Sequence, residues 1–299
     1  MVQKRVGVLR GGAEDYSTSL KEGGDVISFL TDNLSTEYKP LDILVDIEGA
    51  WHFSGMPILP ADLPGRVDVV WNSASPGYAR VLKNFAVPHV SAPHFAESLR
   101  ESREMLREHM RDVDVHLPRH IVIPMYQRDI DGQVEKFAFR KAKEVHEKFG
   151  APWVVKSFPP SPHSGVRVVN TFAGLMEAVR EAAEGGRSIS VEELVSESSA
   201  RAHALQDFRG ESPYVMLTHN LAGSEKERAE EVFRSLYECL DAGPYLYGEL
   251  YFHPKRGVFL SDLRFLPSLH KDSHFHEACA NSGNASHQMV KHMLECAMS

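Results

Sequence analysis

Tyr245-Leu246-Tyr247-Gly248-Glu249-Leu250-Tyr251-Phe252 and Val258-Phe259-Leu260-Ser261-Asp262-Leu263-Arg264-Phe265 flank the turn His253-Pro254-Lys255-Arg256-Gly257. Two aromatic and aliphatic runs around a Pro- and Gly-containing turn predict a β-hairpin. Residues two apart share a strand face, so Glu249 is expected beside Tyr247 and Tyr251, and Asp262 beside Leu260 and Arg264. Antiparallel pairing can bring the two carboxylates together. They form either a solvated hairpin face or a pair of hard oxygen ligands suited to a divalent cation on a nucleotide's phosphates.

Working outward, Arg5 to Leu9 reads as a buried strand running into Gly11-Gly12, and Ser17 to Leu30 carries helical apolar spacing. The runs Leu41 to Val45 and Val67 to Asn72 complete a small α/β domain with a parallel sheet, ending near Pro88 to Pro93. One helix is predicted from Ala96 to Met110, then a strand around Leu117 to Pro124 and a helix from Lys136 to Phe149. Pro152-Trp153-Val154-Val155-Lys156 and Gly165 to Val169 predict a hairpin with a long proline-containing tip. Asn170 or Thr171 caps a helix through Ala183, and Ile189 to Val195 is a strand. Ser224-x-x-Glu227 predicts a capping box before a helix reaching about Leu240. The expected domains are 1–93, 94–188 and 189–299.

Composition narrows the function classes. The 299 residues are 42% hydrophobic and 25% charged, close to soluble averages. Lys+Arg 33 against Asp+Glu 41 gives a net charge of −8, which disfavours a general electrostatic grip on nucleic acid or an anionic membrane. No stretch approaches the roughly 18 apolar residues needed to span a bilayer, and the expected location is cytoplasmic. Cys239, Cys279 and Cys296 have no metal-site spacing. Without GxGxxG, a nicotinamide enzyme is disfavoured. His270 and His274 would share a helical face at i, i+4 and, with His276, raise a separate metal hypothesis; chance clustering among 16 histidines is the simpler reading.

Lys156 ends an apolar strand, where its ammonium must reach water or an anion such as phosphate. Glu192 and Glu193 end another strand and are either surface acids or acceptors for an adenine amino group or a ribose hydroxyl. Taken in order, the strand-GlyGly-helix opening, the lysine strand, Val191-Glu192-Glu193-Leu194 and the carboxylate hairpin resemble the ATP-grasp ligases, in particular the D-alanine:D-alanine ligases. The resemblance covers nearly the whole chain. It rests on Val6 to Gly12 with Ser19-Leu20, on Pro152 to Lys156, and on Val258 to Pro267.

That resemblance implies an α/β, three-domain ATP-grasp fold with an N-terminal parallel-sheet domain and nucleotide between the central and C-terminal domains. It implies an ATP- and Mg²⁺-dependent (or Mn²⁺-dependent) ligase that phosphorylates an amino-acid carboxylate and lets a second amine attack the acyl phosphate, as in peptidoglycan precursor synthesis. Partners would be small-molecule amino acids, with D-alanine the expected substrate and a homodimer implied. Position by position, Lys156 and Arg107 would hold ATP phosphate, Glu192, Glu193 and Leu194 the adenine, and Glu249 and Asp262 the metal. Asp15 and Ser273 would contact the two substrates. Arg264 stands where the family has a metal-binding asparagine, Tyr247 where it has an arginine that stabilises the anionic intermediate, and Ser268 where a glycine helps form the oxyanion site. Arg264 can return the missing charge from the paired strand. Pro159, Pro160 and Pro162 remove backbone donors from the phosphate loop, and His163 replaces a serine at its tip. The closing loop is expected within Gln206 to Tyr214. These departures motivate an alternative: a catalytically degenerate ATP-grasp protein that binds nucleotide or a partner without turnover.

Overall fold

The computed structural model describes residues 2–13, 16–158, 165–195, 199–218, 221 and 223–299. The opening Val6 to Leu9 run is fully buried in β1 (Lys4–Gly11), which pairs in parallel with β2 (Tyr38–Val45). The short antiparallel strands β3 (Trp51–Phe53) and β4 (Met56–Ile58) extend that edge. On the other side lie parallel β5 (Val69–Asn72) and β6 (His89–Val90), giving the order β4-β3-β2-β1-β5-β6. Between β1 and β2, α1 (Tyr16–Asn33) buries Ser19, Gly23, Val26 and Leu30, a spacing that lays one helical stripe on the sheet. Gly11, at φ +90°, makes the turn from β1 possible: a Cβ there would sit 2.1 Å from the Val45 carbonyl oxygen. The turn is fixed by Ser19, whose Oγ accepts from Gly11 N–H and donates to the Ser73 carbonyl, both at 2.8 Å.

α2 (Gly77–Asn84) follows. The helix expected over Ala96 to Met110 is two helices, α3 (His94–Glu101) and α4 (Arg103–His109). Ser102 is extended at φ −113°, ψ 101°, and its Oγ accepts from Met105 N–H, so the chain restarts with a new N-cap.

The second sheet begins with β7 (His120–Ile123) and continues, after α5 (Arg128–Asp131) and α6 (Val134–Lys148), with β8 (Trp153–Phe158) and β9 (Arg167–Val169). β8 and β9 are antiparallel as expected; the proline-containing tip lies outside the described residues. α7 (Phe172–Glu184) starts at Thr171, whose hydroxyl accepts from Gly174 N–H. β10 (Ser188–Glu193) then inserts between β7 and β8, giving β7-β10-β8-β9. Residues 189–193 therefore belong to this sheet rather than opening the next one.

The third sheet, β12-β11-β13-β14, is built from β11 (Ser199–Leu205), β12 (Tyr214–Leu217) and, after α8 (Ser224–Cys239), the hairpin β13 (Tyr245–His253) and β14 (Gly257–Arg264). The capping box expected at Ser224 does not form: Gly223, at φ 58°, is the N-cap, and no side-chain cap bond is made. α9 (His274–Asn281) and α10 (Ser286–Met298) close the chain. Residues of β1, β5, α1, α9 and α10 share one core that includes Trp71, Tyr245 and Phe275.

The chain forms two compact units, residues 1–115 with 199–250 and 260–299, and residues 116–198 with 251–259. The second unit has its own core around Phe137, Trp153, Leu175 and Val191. Among the described residues no helix is long and apolar enough to cross a membrane.

Candidate functional site

In the first unit, β11, β13 and β14 present a polar face opposite the one that packs on α8. Gly248 marks the packed side: a Cβ there would lie 2.8 Å from Phe233 of α8 and 3.1 Å from Leu260. Its strand neighbours Tyr247 and Glu249 therefore point the other way. On β14 the alternation slips. Leu260 and Leu263 are both buried, three residues apart, while Asp262 and Arg264 are half-buried. Asp262 thus does not share a face with Leu260, as strict alternation had placed it.

Four contacts hold these side chains, and the electrostatics of Tyr247 accord with them. Arg264 stacks over the Tyr247 ring at 5.8 Å, and its Nε lies 3.4 Å from Asp262 Oδ2. Glu249 Oε1 accepts from Ser199 Oγ at 3.2 Å and faces an Arg201 Nη at 3.5 Å. Burial raises the Tyr247 pKa, and Glu249 and Asp262 raise it further. Tyr247 and Arg264 are thus held together across the two strands, with Asp262 beside Arg264 and Glu249 beside Arg201.

Arginine reaches this face from a second direction. Arg103, first residue of α4, lies with Nη2 3.5 Å from the Ser261 carbonyl. Arg100, on α3, pairs with Glu97 at 2.6 Å and has a buried Nε without a hydrogen-bond partner. Burial disfavours its charge, but Glu97, with Asp262 behind it, pushes its pKa up. Arg107, the residue expected to hold phosphate, lies on an exposed part of α4.

The donor set decides what such a face can hold. Mg²⁺ or Mn²⁺ needs carboxylate lone pairs directed at the ion. Here one Asp262 oxygen accepts from Leu263 N–H at 3.0 Å and the other faces Arg264, while Glu249 Oε1 is shared by Ser199 and Arg201. A divalent cation would stand among guanidiniums. The residues as arranged, each carboxylate already paired with an arginine, do not fit one.

Beneath the polar face lies a group that sequence reasoning missed. His203 is 1% exposed on β11, its Nδ1 is 2.7 Å from Tyr245 Oη, and its Nε2 is buried without a partner. Burial, reinforced by His274 and Arg201, holds its pKa down at about 3. The imidazole is therefore neutral at ordinary pH.

In the second unit, Lys156 is fixed by an ion pair from Nζ to Glu192 Oε2 at 2.8 Å. Glu193 on the same strand is clamped twice. Arg119 donates from Nε and Nη2 to its Oε2 at 2.9 and 2.8 Å, and Arg256 donates to both oxygens at 2.8 and 3.2 Å. Burial works against the carboxylate, but the bonds from Arg256 and Arg119 outweigh it and hold the carboxyl down at about 2. Both Glu193 oxygens are spent on arginine. Leu194 N–H donates to the Pro152 carbonyl.

Of the other expected site residues, Ser273 caps no backbone amide by its side chain but donates from Oγ to the Ser268 carbonyl at 2.6 Å. Asp15 and His163 lie outside the described residues. His270 precedes α9 instead of sharing a helical face with His274, and His276 stacks on Phe29 at 5.6 Å. Among the described residues no group of three or more His, Cys, Asp or Glu is arranged to hold a metal.

No protein-family model and no curated protein matches the sequence. Solved structures do match in shape. A D-alanine–D-alanine ligase from Coxiella burnetii aligns with a TM-score of 0.72 at 14% identity, over 99% of this chain and 95% of that one. A D-alanine–D-alanine ligase from Bacillus anthracis, complexed with ATP, aligns at 0.65 and 14% identity over 100% and 98%. A D-Ala:D-Ser ligase from Enterococcus faecalis aligns at 0.67 and 13% identity over 99% and 100%. The chain thus has the mixed α/β, ATP-grasp fold of these solved structures.

Proposed function

We propose that this protein is an ATP-dependent ligase that activates a small amino acid's carboxylate and joins it to an amine. What supports this most is a fold that spans the full length of such ligases and carries the Lys156–Glu192 pair in one unit and the polar face of Tyr247, Glu249, Asp262 and Arg264 in the other. A carboxylate oxygen would attack the γ-phosphorus of ATP, breaking its bond to ADP. The amine nitrogen would then attack the acyl carbon and release phosphate. Such transfers depend on positioned positive charge around the phosphoryl group. We assign that charge to Lys156, Arg107 and Arg264, and assign the adenine to Glu192, Glu193 and Leu194. Glu249 and Asp262 orient Arg201 and Arg264, and no step is routed through a divalent cation. Ser268 and Ser273 are proposed at the substrate end, with D-alanine the first acid to try; the D-Ala:D-Ser relative in shape makes other amino acids worth including. The three-domain division at 93 and 188, small-molecule partners, the homodimer and the cytoplasmic location belong to the same proposal.

The arginine pairs on both carboxylates favour a second reading, a nucleotide-binding ATP-grasp protein without turnover. Phosphate release from ATP, measured with D-alanine and then an amino-acid panel, separates the two. Release that requires an amino acid supports the ligase. ATP binding with no release for any amino acid supports the binding protein.

A further inference from the structure

The second unit's sheet has two unlike faces. Ile121, Val155 and Val191 are buried in one core with α6 and α7. The residues that alternate with them point to the opposite face. There the register sets Ser190 between Val122 and Lys156, and Glu192 between His120 and Val154. Val122 on β7 and Val168 on β9 remain exposed, so this face is open to a ligand. Lys156 and Glu192 are diagonal neighbours across β8 and β10, a placement that brings Nζ within 2.8 Å of Oε2. The lysine side chain is 23% exposed and the glutamate side chain 5%. An anion arriving from solvent thus reaches the ammonium and not the carboxylate. Glu193 alternates to the other face, where it serves Arg119 and Arg256.

An ammonium carries three donors, so a bond to Glu192 does not bar a phosphate oxygen. The carboxylate's charge nevertheless opposes the phosphate's. Two like charges about 6 Å apart at an effective dielectric of about 20 repel by well over tenfold in an equilibrium constant. We propose that Glu192 is a built-in competitor for Lys156: it holds the ammonium in place before nucleotide arrives, weakens the grip on polyphosphate, and so eases release of ADP. This deepens the ATP-dependent reading and rests on it for the ligand. Glu192 is then a positioning residue that acts on the nucleotide through Lys156, and the adenine assigned to residues 192–194 is met by their main-chain atoms.

Calorimetric titration of the full chain with inorganic tripolyphosphate, ADP and adenosine, at one fixed Mg²⁺ concentration, separates the phosphate end from the base. Glu192→Gln keeps an acceptor for Nζ and removes the charge. It is expected to tighten tripolyphosphate and ADP about tenfold and to leave adenosine within about twofold. Lys156→Met is expected to act in the opposite sense, weakening tripolyphosphate at least about tenfold with adenosine again unchanged. A merely structural role would move all three ligands the same way. If Lys156→Met fails to fold by circular dichroism, the contrast between tripolyphosphate and adenosine in Glu192→Gln carries the test.

Weaker adenosine and ADP binding in Glu192→Gln makes the carboxylate a reader of the base and overturns the proposal. Unchanged or weaker tripolyphosphate binding in that variant overturns it too, and with ADP still bound both outcomes leave the ATP-dependent reading standing. Tighter tripolyphosphate without ADP binding in either protein supports the competitor and removes the ATP-dependent reading. Binding of neither tripolyphosphate nor ADP removes both.

Discussion

Replacing Glu193 by Gln tests whether the double arginine clamp organises the second sheet. Glu193 is 6% exposed and receives bonds from Arg119 and Arg256. A carboxyl held at about 2 against an ordinary 4.5 corresponds to a ceiling of about 3 kcal/mol. The partner arginines are 58% and 40% exposed, so water screens part of this, and about 2 kcal/mol is expected. Because the folded pKa is depressed, the contribution is complete above pH 4.5 and is lost as pH falls through about 2. Hydrogen exchange of β8 and β10 amides reads this locally, since Glu193 pairs in register with Trp153. Near neutral pH, Glu193→Gln should speed their exchange roughly thirtyfold relative to the parent. The difference should narrow on acidification toward pH 2, after correction for intrinsic rates. Unchanged exchange in the variant, or a difference that persists undiminished at pH 2, refutes the clamp.

Further outcomes follow from the same structure. Gly248→Ala places a methyl 2.8 Å from Phe233 and should destabilise the first unit by about 1–3 kcal/mol, seen as a lower Tm in a thermal melt. His203, neutral in the fold with a pKa of about 3 against an ordinary 6.5, makes the first unit less stable as pH falls below 6.5; urea titrations of His203→Gln between pH 7 and 4 should show a flatter dependence than the parent. Lys156→Met leaves the buried Glu192 without its ammonium partner and should cost about 1–3 kcal/mol in urea unfolding, while Lys156→Met/Glu192→Met recovers part of that loss.

The elements legible in the sequence are those with large apolar residues in a clean period: β1, β8, β13 and α1 follow the hydrophobic runs that define them. β11 was illegible because its buried face is Ala200, Ala202 and Ala204, small residues with weak strand preference. Missing β11 also hid Arg201 and His203, which alternate with those alanines. The break at Ser102 was hidden because a serine inside an amphipathic stretch reads as helix until its hydroxyl caps a new one. Strict alternation does not describe β14, where Leu260 and Leu263, three residues apart, are both buried. Both carboxylates of the hairpin were legible, but not their arginine partners, since ion pairing depends on strand register and on α3 and α4, which lie far away in sequence.

Positional isotope exchange tests the ligase reading most directly, because it detects the acyl phosphate without needing the second amine. ATP carrying ¹⁸O in the bridge between the β- and γ-phosphorus is incubated with the protein and one amino acid at a time, and recovered ATP is examined by ³¹P nuclear magnetic resonance. Reversible phosphoryl transfer to a carboxylate scrambles the bridge label into the β-phosphoryl oxygens, and scrambling that appears only with an amino acid present is the predicted result. Retained label across the whole panel, with ATP demonstrably bound, contradicts carboxylate activation by this protein.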